Sequence, residues 1–235
     1  MIISSILLIY ICAAVLPAAV LMVYIYNADK VEKEPAYLLW RLVGGGVLAA
    51  LVAMVLEYIG ESVLSGFVDK GSPYYSIFLA FLVVAVAEEG MKLFFLYRRT
   101  WRDENFNYKF DGVVYAVFVS LGFAAFENIT YVFNYGLSVA PSRALLAIPA
   151  HMGFAVFMGT FYGRAKVAEA DGRYGAKTAN LLFGYVSAIF LHGFYDASAM
   201  LQTSAATTAF MIFVVVMYVV VFSLIRHDAK SDMRI

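Results

Sequence analysis

The chain has 235 residues, of which 63% are hydrophobic and only 14% charged, whereas soluble domains are about half apolar and about a quarter charged. A water-soluble fold of this length has no interior large enough to hide so much apolar surface. Lysines plus arginines equal aspartates plus glutamates, at 17 each, so net charge gives no sign of a nucleic-acid partner. The single cysteine, Cys12, excludes an internal disulfide or a multi-cysteine zinc site. It lies in an apolar run away from every polar cluster, which suits packing or lipid contact better than a nucleophile.

In chain order, the first apolar run, Ile2 to about Tyr26, lacks a basic leader and exceeds the usual ~7–15-residue core of a signal peptide. It is expected to remain as a spanning helix, although Ala13, Ala14, Ala18 and Ala19 resemble a cleavage region. Crossing the hydrocarbon core takes roughly 20 apolar residues. Seven segments qualify, near 2–26, 42–59, 75–97, 112–134, 143–165, 179–200 and 207–225. Gly44, Gly45 and Gly46 weaken the helix propensity of the second. They also make it a possible break, or a point of close helix contact.

The connections differ in basic content. Lys30, Lys33 and Arg41, then Arg98, Arg99, Arg102 and Lys109, then Arg164, Lys166, Arg173 and Lys177, and finally Arg226, Lys230 and Arg234 fall on one side. Lys70 and Arg143 fall on the other. The positive-inside rule therefore places the N-terminus outside and the C-terminus in the cytoplasm. Trp40 and Trp101 sit at cytoplasmic helix ends, as interfacial anchors do. The tail from His227 is short and polar and is expected to be mobile. No connection is long enough for a soluble domain, so residues 1–235 form one all-α, polytopic transmembrane domain whose environment is the lipid bilayer.

Each mid-membrane charge costs roughly 2.5–3.5 kcal/mol on insertion scales. The third predicted span nevertheless carries Glu88, Glu89 and Lys92, the fourth Glu127 and Asn128, the fifth His151, and the sixth His192 and Asp196. Helical spacing puts Glu88 and Glu89 beside Lys92, and His192 beside Asp196. Separately, these are structural ion pairs. By depth, they are more. At ~1.5 Å per residue from the cytoplasmic ends, Glu88 lies about 15 Å deep, His151 and His192 about 20 Å, Glu127 about 24 Å and Asp196 about 26 Å. Four helices thus place ionisable groups in one layer, which a common, outward-leaning cavity requires and scattered pairs do not. Glu57 and Glu61 lie near an outer helix end and suit a solvated interface.

Two adjacent carboxylates in a low-dielectric site cannot both ionise cheaply. One poised this way can take a proton from water, and a histidine or protonated acid can donate to the oxyanion that develops. The set suits hydrolysis. It also suits a proton relay in a transporter, or a non-catalytic scaffold. The HExxH zinc helix, a GxSG serine motif and a GxGD aspartate motif are all missing.

At these residues the chain resembles the PrsW family of membrane proteases. Glu88-Glu89-Gly90-Met91-Lys92 is similar to their EExxK motif. Phe110-Asp111-Gly112 with Gly122-Phe123 and Glu127-Asn128 resembles the second motif, His151 with Phe154 and Gly159 the third, and His192 with Asp196 the fourth. The stretch Asp29 to Pro35 is similar as well, and the likeness runs from about residue 27 to 200. The resemblance implies an endopeptidase of the bacterial inner membrane acting on a membrane-anchored protein such as a transmembrane anti-sigma factor. It also implies a distant likeness to type II CAAX prenyl endopeptidases, which are glutamate-dependent. By that likeness Glu88 activates water, Glu89 supports it, and His192 and Asp196 stabilise the oxyanion. Lys92, Asn128 and Asp111 are supporting residues. Glu127 stands where the CAAX enzymes have a histidine, with His151 as the candidate replacement, and Asp196 stands where they often have asparagine. No cofactor is expected, the alternative being zinc held by His151, His192 and Glu127.

Overall fold

The computed structural model describes residues 2–235, with side chains from Ile6 onward. The architecture is helical: α1 (Ile2–Ala28), α2 (Ala36–Leu64), α3 (Pro73–Phe78), α4 (Ala85–Thr100), α5 (Asp111–Tyr135), α6 (Ala140–Ser142), α7 (Ile148–Ala170), α8 (Tyr174–Met200) and α9 (Ser204–Lys230). A π-helical stretch, Leu79–Val84, joins α3 to α4 in one rod. A 3-10 turn, Leu137–Val139, α6 and a second π stretch, Arg143–Ala147, lead into α7. Among the described residues the result is seven long helical rods, one for each predicted span. Five segments among them are long and apolar enough to cross a membrane: Ile6–Ala28, Ala36–Leu64, Asp111–Tyr135, Leu137–Ala170 and Ser204–Lys230. The other two rods carry Glu88, Glu89 and Lys92, and His192 and Asp196.

Helix α5 is the hub. It is buried along most of its length and packs against α1, α2, α4 and α7. Glycine allows two of these approaches, to α7 where Gly112 meets Gly159 and Gly163, and to α2. A Cβ on Gly46 would lie 2.0 Å from the Val119 carbonyl oxygen of α5, whereas one on Gly44 would meet nothing within 4 Å. The triple glycine therefore does not break α2, which runs through it without interruption. Only part of the triplet serves close contact.

At one end of the bundle the connections lock together. Lys166 Nζ donates to the Trp101 carbonyl (2.7 Å), and Trp101 Nε1 donates to Glu169 (3.2 Å). Trp101 is only 5% exposed and packs on Tyr97, Phe106 and Tyr162. It is a core residue and not the interfacial anchor expected, whereas Trp40 is 72% exposed, as an anchor should be. The tail is docked rather than loose. The Lys109 amide donates to Met233 O (2.9 Å), the Ile235 amide to Asn107 O (2.7 Å), and the Phe110 amide to Asp232 Oδ1 (2.8 Å).

Asp111 belongs to this end and not to the buried polar layer. Its carboxylate accepts the amides of Asn107 (3.1 Å) and Tyr108 (2.7 Å), fixing the turn before α5. Beside it, the Tyr115 hydroxyl lies 2.7 Å from Glu34 Oε2 and 2.9 Å from Asn105 O. One hydroxyl proton cannot serve two acceptors. The hydroxyl therefore donates to one of them at a time. Burial pushes the Glu34 carboxyl up from 4.5 to about 7, against the opposing effect of the Tyr115 hydroxyl.

Two predictions arise from this packing. Gly46→Val should destabilise the bundle by about 1–3 kcal/mol, the usual cost of overpacking, while Gly44→Ala leaves the thermal midpoint in detergent essentially unchanged. For Glu34, the unfolded carboxyl ionises near 4.5 and the folded one near 7, so stability falls as pH rises between those values. Glu34→Gln should flatten that part of the stability–pH curve and gain on the wild type above it, as read by thermal unfolding across the range.

Candidate active site

The polar layer converges in the bundle around a buried ammonium. Lys92 Nζ donates to Glu88 Oε2 (3.0 Å) and Glu89 Oε1 (2.7 Å) on its own helix, and faces His151 Nδ1 (3.2 Å) on α7. An ammonium has three donors and no acceptor, so these contacts use all of its protons. Its side chain is 2% exposed, and the Phe123 ring lies 4.0 Å from Nζ on another side. Both carboxylates reach it because the i,i+3 and i,i+4 spacings share a helical face.

His192 of α8 continues the network. Its Nδ1 lies 2.9 Å from Glu89 Oε1, and its Nε2 lies 3.3 Å from Asp196 Oδ2 and 4.0 Å from Glu88 Oε2. Phe154 stacks on the ring at 4.9 Å between centroids. On the opposite flank, Glu127 Oε2 of α5 takes His151 Nε2 (3.0 Å) and Arg143 Nη2 (2.9 Å). Asn128 donates to the Ala14 carbonyl of α1 (2.7 Å) and accepts from Arg143 Nε (2.7 Å). It thus supports the site by carrying Arg143. Among the described residues, every buried side-chain nitrogen and oxygen has a hydrogen-bond partner.

A cavity of about 170 Å³ opens over this network. Glu88, Glu127, His151, His192 and Asp196 line it, with Arg143, Tyr131, Tyr195 and Glu57. Glu89 lies behind them, only 1% exposed. The cavity leans toward the end remote from Trp101: Asp196 is four residues from the end of α8, about 6 Å by helical rise. A larger apolar groove of about 380 Å³, between α1 and α2, is lined by Met22, Val23, Leu39, Val43 and Phe118 and holds no comparable polar cluster.

The residues singled out from sequence thus come together, except Asp111. Sequence reasoning missed Arg143, Glu57, Tyr131 and Tyr195. By position Arg143 reads as an outer-loop charge and Glu57 as an interface residue, whereas both line the cavity. Glu61 is the surface residue expected, paired with Lys70 at 3.0 Å. Both π stretches end just before helices that carry site residues, α4 and α7. Such stretches recur at functional sites, and the second contains Arg143 itself.

Glu88, Glu89 and His151 each offer one ligand atom within 4.8 Å of the others, a donor chemistry zinc accepts. Lys92 Nζ already bonds to those three residues, and an ammonium and a dication cannot share one cradle. The arrangement therefore does not fit a metal ion at this trio. The set of His151, His192 and Glu127 fits no better. The His151 nitrogens face Lys92 and Glu127, and the His192 nitrogens face Glu89 and Asp196.

Removing one partner of a buried pair strands the other charge, at a cost of about 3–5 kcal/mol. Lys92→Met should lower stability by that order, measured by chemical or thermal unfolding in micelles. Lys70→Ala, at the exposed Glu61 pair, should leave the transition in place.

Comparison with known proteins identifies the family, whose description names a metal that the trio around Lys92 does not fit. A family model described as PrsW family intramembrane metalloprotease matches residues 34–225. Protease PrsW of Geobacillus kaustophilus (strain HTA426) is 37% identical over 188 residues, covering 79% of this chain and 77% of that protein. Protease PrsW of Bacillus subtilis (strain 168) is 33% identical over 186 residues, covering 79% and 80%. Protease PrsW of Clostridioides difficile (strain 630) is 28% identical over 211 residues, covering 87% and 85%. No solved structure matches the chain significantly. With its apolar helices closed around this carboxylate–histidine network, the chain belongs to the PrsW family and is a membrane-embedded endopeptidase.

Proposed function

We propose that the protein cleaves a membrane-anchored protein, such as a transmembrane anti-sigma factor, by attack of a water activated by Glu88, without a metal ion. The observation that carries this reading is the division of labour between the two adjacent carboxylates. Glu88 lines the cavity. Glu89 is buried behind it, between Lys92 and His192. Glu88 takes a proton from water as the oxygen bonds to the scissile carbonyl carbon. His192, oriented through Nδ1 by Glu89, turns its Nε2–H from Asp196 to the carbonyl oxygen as that oxygen gains negative charge. The carbon–nitrogen bond then breaks, and the proton held by Glu88 passes to the departing amine. Glu89 and Lys92 fix the positions of His192 and Glu88.

The whole chain acts as one transmembrane domain of the bacterial inner membrane. The excess of basic residues at the Trp101 end supports a cytoplasmic location for that end and the C-terminus. The cavity then leans outward, toward a cleavage point near the outer face of the substrate's span.

The test uses purified protein in liposomes with doubly tagged single-span anti-sigma factors. Glu88→Gln and His192→Ala should each reduce cleavage by about 10²–10⁴-fold, the usual weight of a general acid or base, while each variant still folds, as shown by a cooperative thermal transition at a lowered midpoint. Full activity in either folded variant overturns the reading. Wild-type cleavage should persist in a strong chelator. Loss that zinc restores overturns the metal-free form of the mechanism.

A further inference from the structure

We propose that Arg143 is a positioning residue: it holds Glu127 against His151, so that His151 presents a lone pair, and not a proton, to Lys92. Arg143 lies in the π stretch before α7, far in sequence from the carboxylates of α4. Its guanidinium is nevertheless fixed at three points on α5. Nε donates to Asn128 Oδ1 at 2.7 Å, Nη2 donates to Glu127 Oε2 at 2.9 Å, and the group lies 3.7 Å from the centre of the Tyr131 ring. The orientation of Asn128 is settled independently. Its amide nitrogen donates to the Ala14 carbonyl, which leaves Oδ1 to accept from Arg143.

The consequence passes through His151. Glu127 Oε2, held by the guanidinium, lies 3.0 Å from His151 Nε2. A carboxylate accepts only, so Nε2 carries the proton. On the other side, Nδ1 lies 3.2 Å from Lys92 Nζ. An ammonium has no lone pair, so Nδ1 must accept. Both neighbours demand the same neutral tautomer. In that state Lys92 spends one proton on His151 and one on each of Glu88 and Glu89, which fixes both carboxylates. Glu127 lines the cavity. Without Arg143 it is free to turn into that space, and the ring loses the acceptor that sets its orientation. An arginine that merely tied α5 to α7 would affect stability and leave the ring unchanged.

The kinetic part of this proposal rests on the peptidase reading given above; the tautomer part does not. The chain has three histidines, so imidazole nitrogen NMR on histidine-labelled protein in micelles resolves each ring. Wild type should show His151 as the Nε2–H tautomer, with that proton protected from exchange. Arg143→Gln should lose the protection, and Arg143→Lys should retain part of it. A protonated Nδ1 in wild type, or an unchanged signal in Arg143→Gln, overturns the proposal whatever the enzyme cleaves.

On a substrate that wild type cuts, Arg143→Gln should lower kcat by about tenfold to a hundredfold, the usual effect of removing a partner that orients a histidine, with KM within twofold. Arg143→Lys should recover part of the loss. Because Arg143 acts through Glu127, the same change made on Glu127→Gln should cost nothing further. Fully additive losses overturn the proposal. If Arg143→Gln fails to fold, the wild-type tautomer and the Arg143→Lys cycle with Glu127→Gln decide it.

Discussion

The site depends on one buried ammonium. Lys92 is nearly inaccessible and finds its three acceptors on Glu88, Glu89 and His151. Burying a charge this way is costly unless every proton is matched. Matching them ties two side chains of α4 to one of α7. Glu89 in turn holds His192 of α8, and His151 holds Glu127 of α5. Four helices are thus fixed relative to one another by polar contacts whose alternative is an unpaired group in hydrocarbon.

The rest of the bundle makes that convergence possible. Helix α5, buried against its neighbours, brings Glu127 to the cavity at one end and anchors the connections through Asp111 at the other. Close contact at Gly46 lets α2 lie against it, and α2 delivers Glu57 to the cavity wall. The docked tail and the Trp101 cluster rigidify the end remote from the cavity mouth. Rigid packing on one side and a small polar opening on the other suit a site that must hold catalytic groups precisely while admitting peptide backbone.

Membership of the PrsW family makes the chain a protease, and the geometry gives that activity a physical form. One carboxylate faces the cavity and its neighbour serves the network behind it. One histidine bridges Glu89 and Asp196, while another bridges Lys92 and Glu127. The two rings are chemically alike and are set apart by what they touch. Where His151 meets an ammonium, it must accept. Where His192 meets carboxylates at both nitrogens, it donates.

Much of this architecture is legible in the order of residues alone. Apolar runs broken by Glu88, Glu89, Lys92, Glu127, His151, His192 and Asp196 pointed to a helical membrane protein with one polar layer, because a shared cavity requires a common depth and scattered ion pairs do not. Helical spacing determined the pairs within α4 and within α8, because i,i+3 and i,i+4 neighbours must share a face. Only the tertiary structure decided which residues join across helices. Asp111 sits in a matching motif yet caps a turn at the far end, and Trp101 is a core residue although its position marks it as an anchor. Arg143 reads as a loop charge, yet the π stretch and three contacts on α5 carry it into the site. Local sequence encodes period and cost. It does not encode which face of one helix meets which face of another, and that choice selected His151 as the third partner of Lys92 and gave each histidine its role.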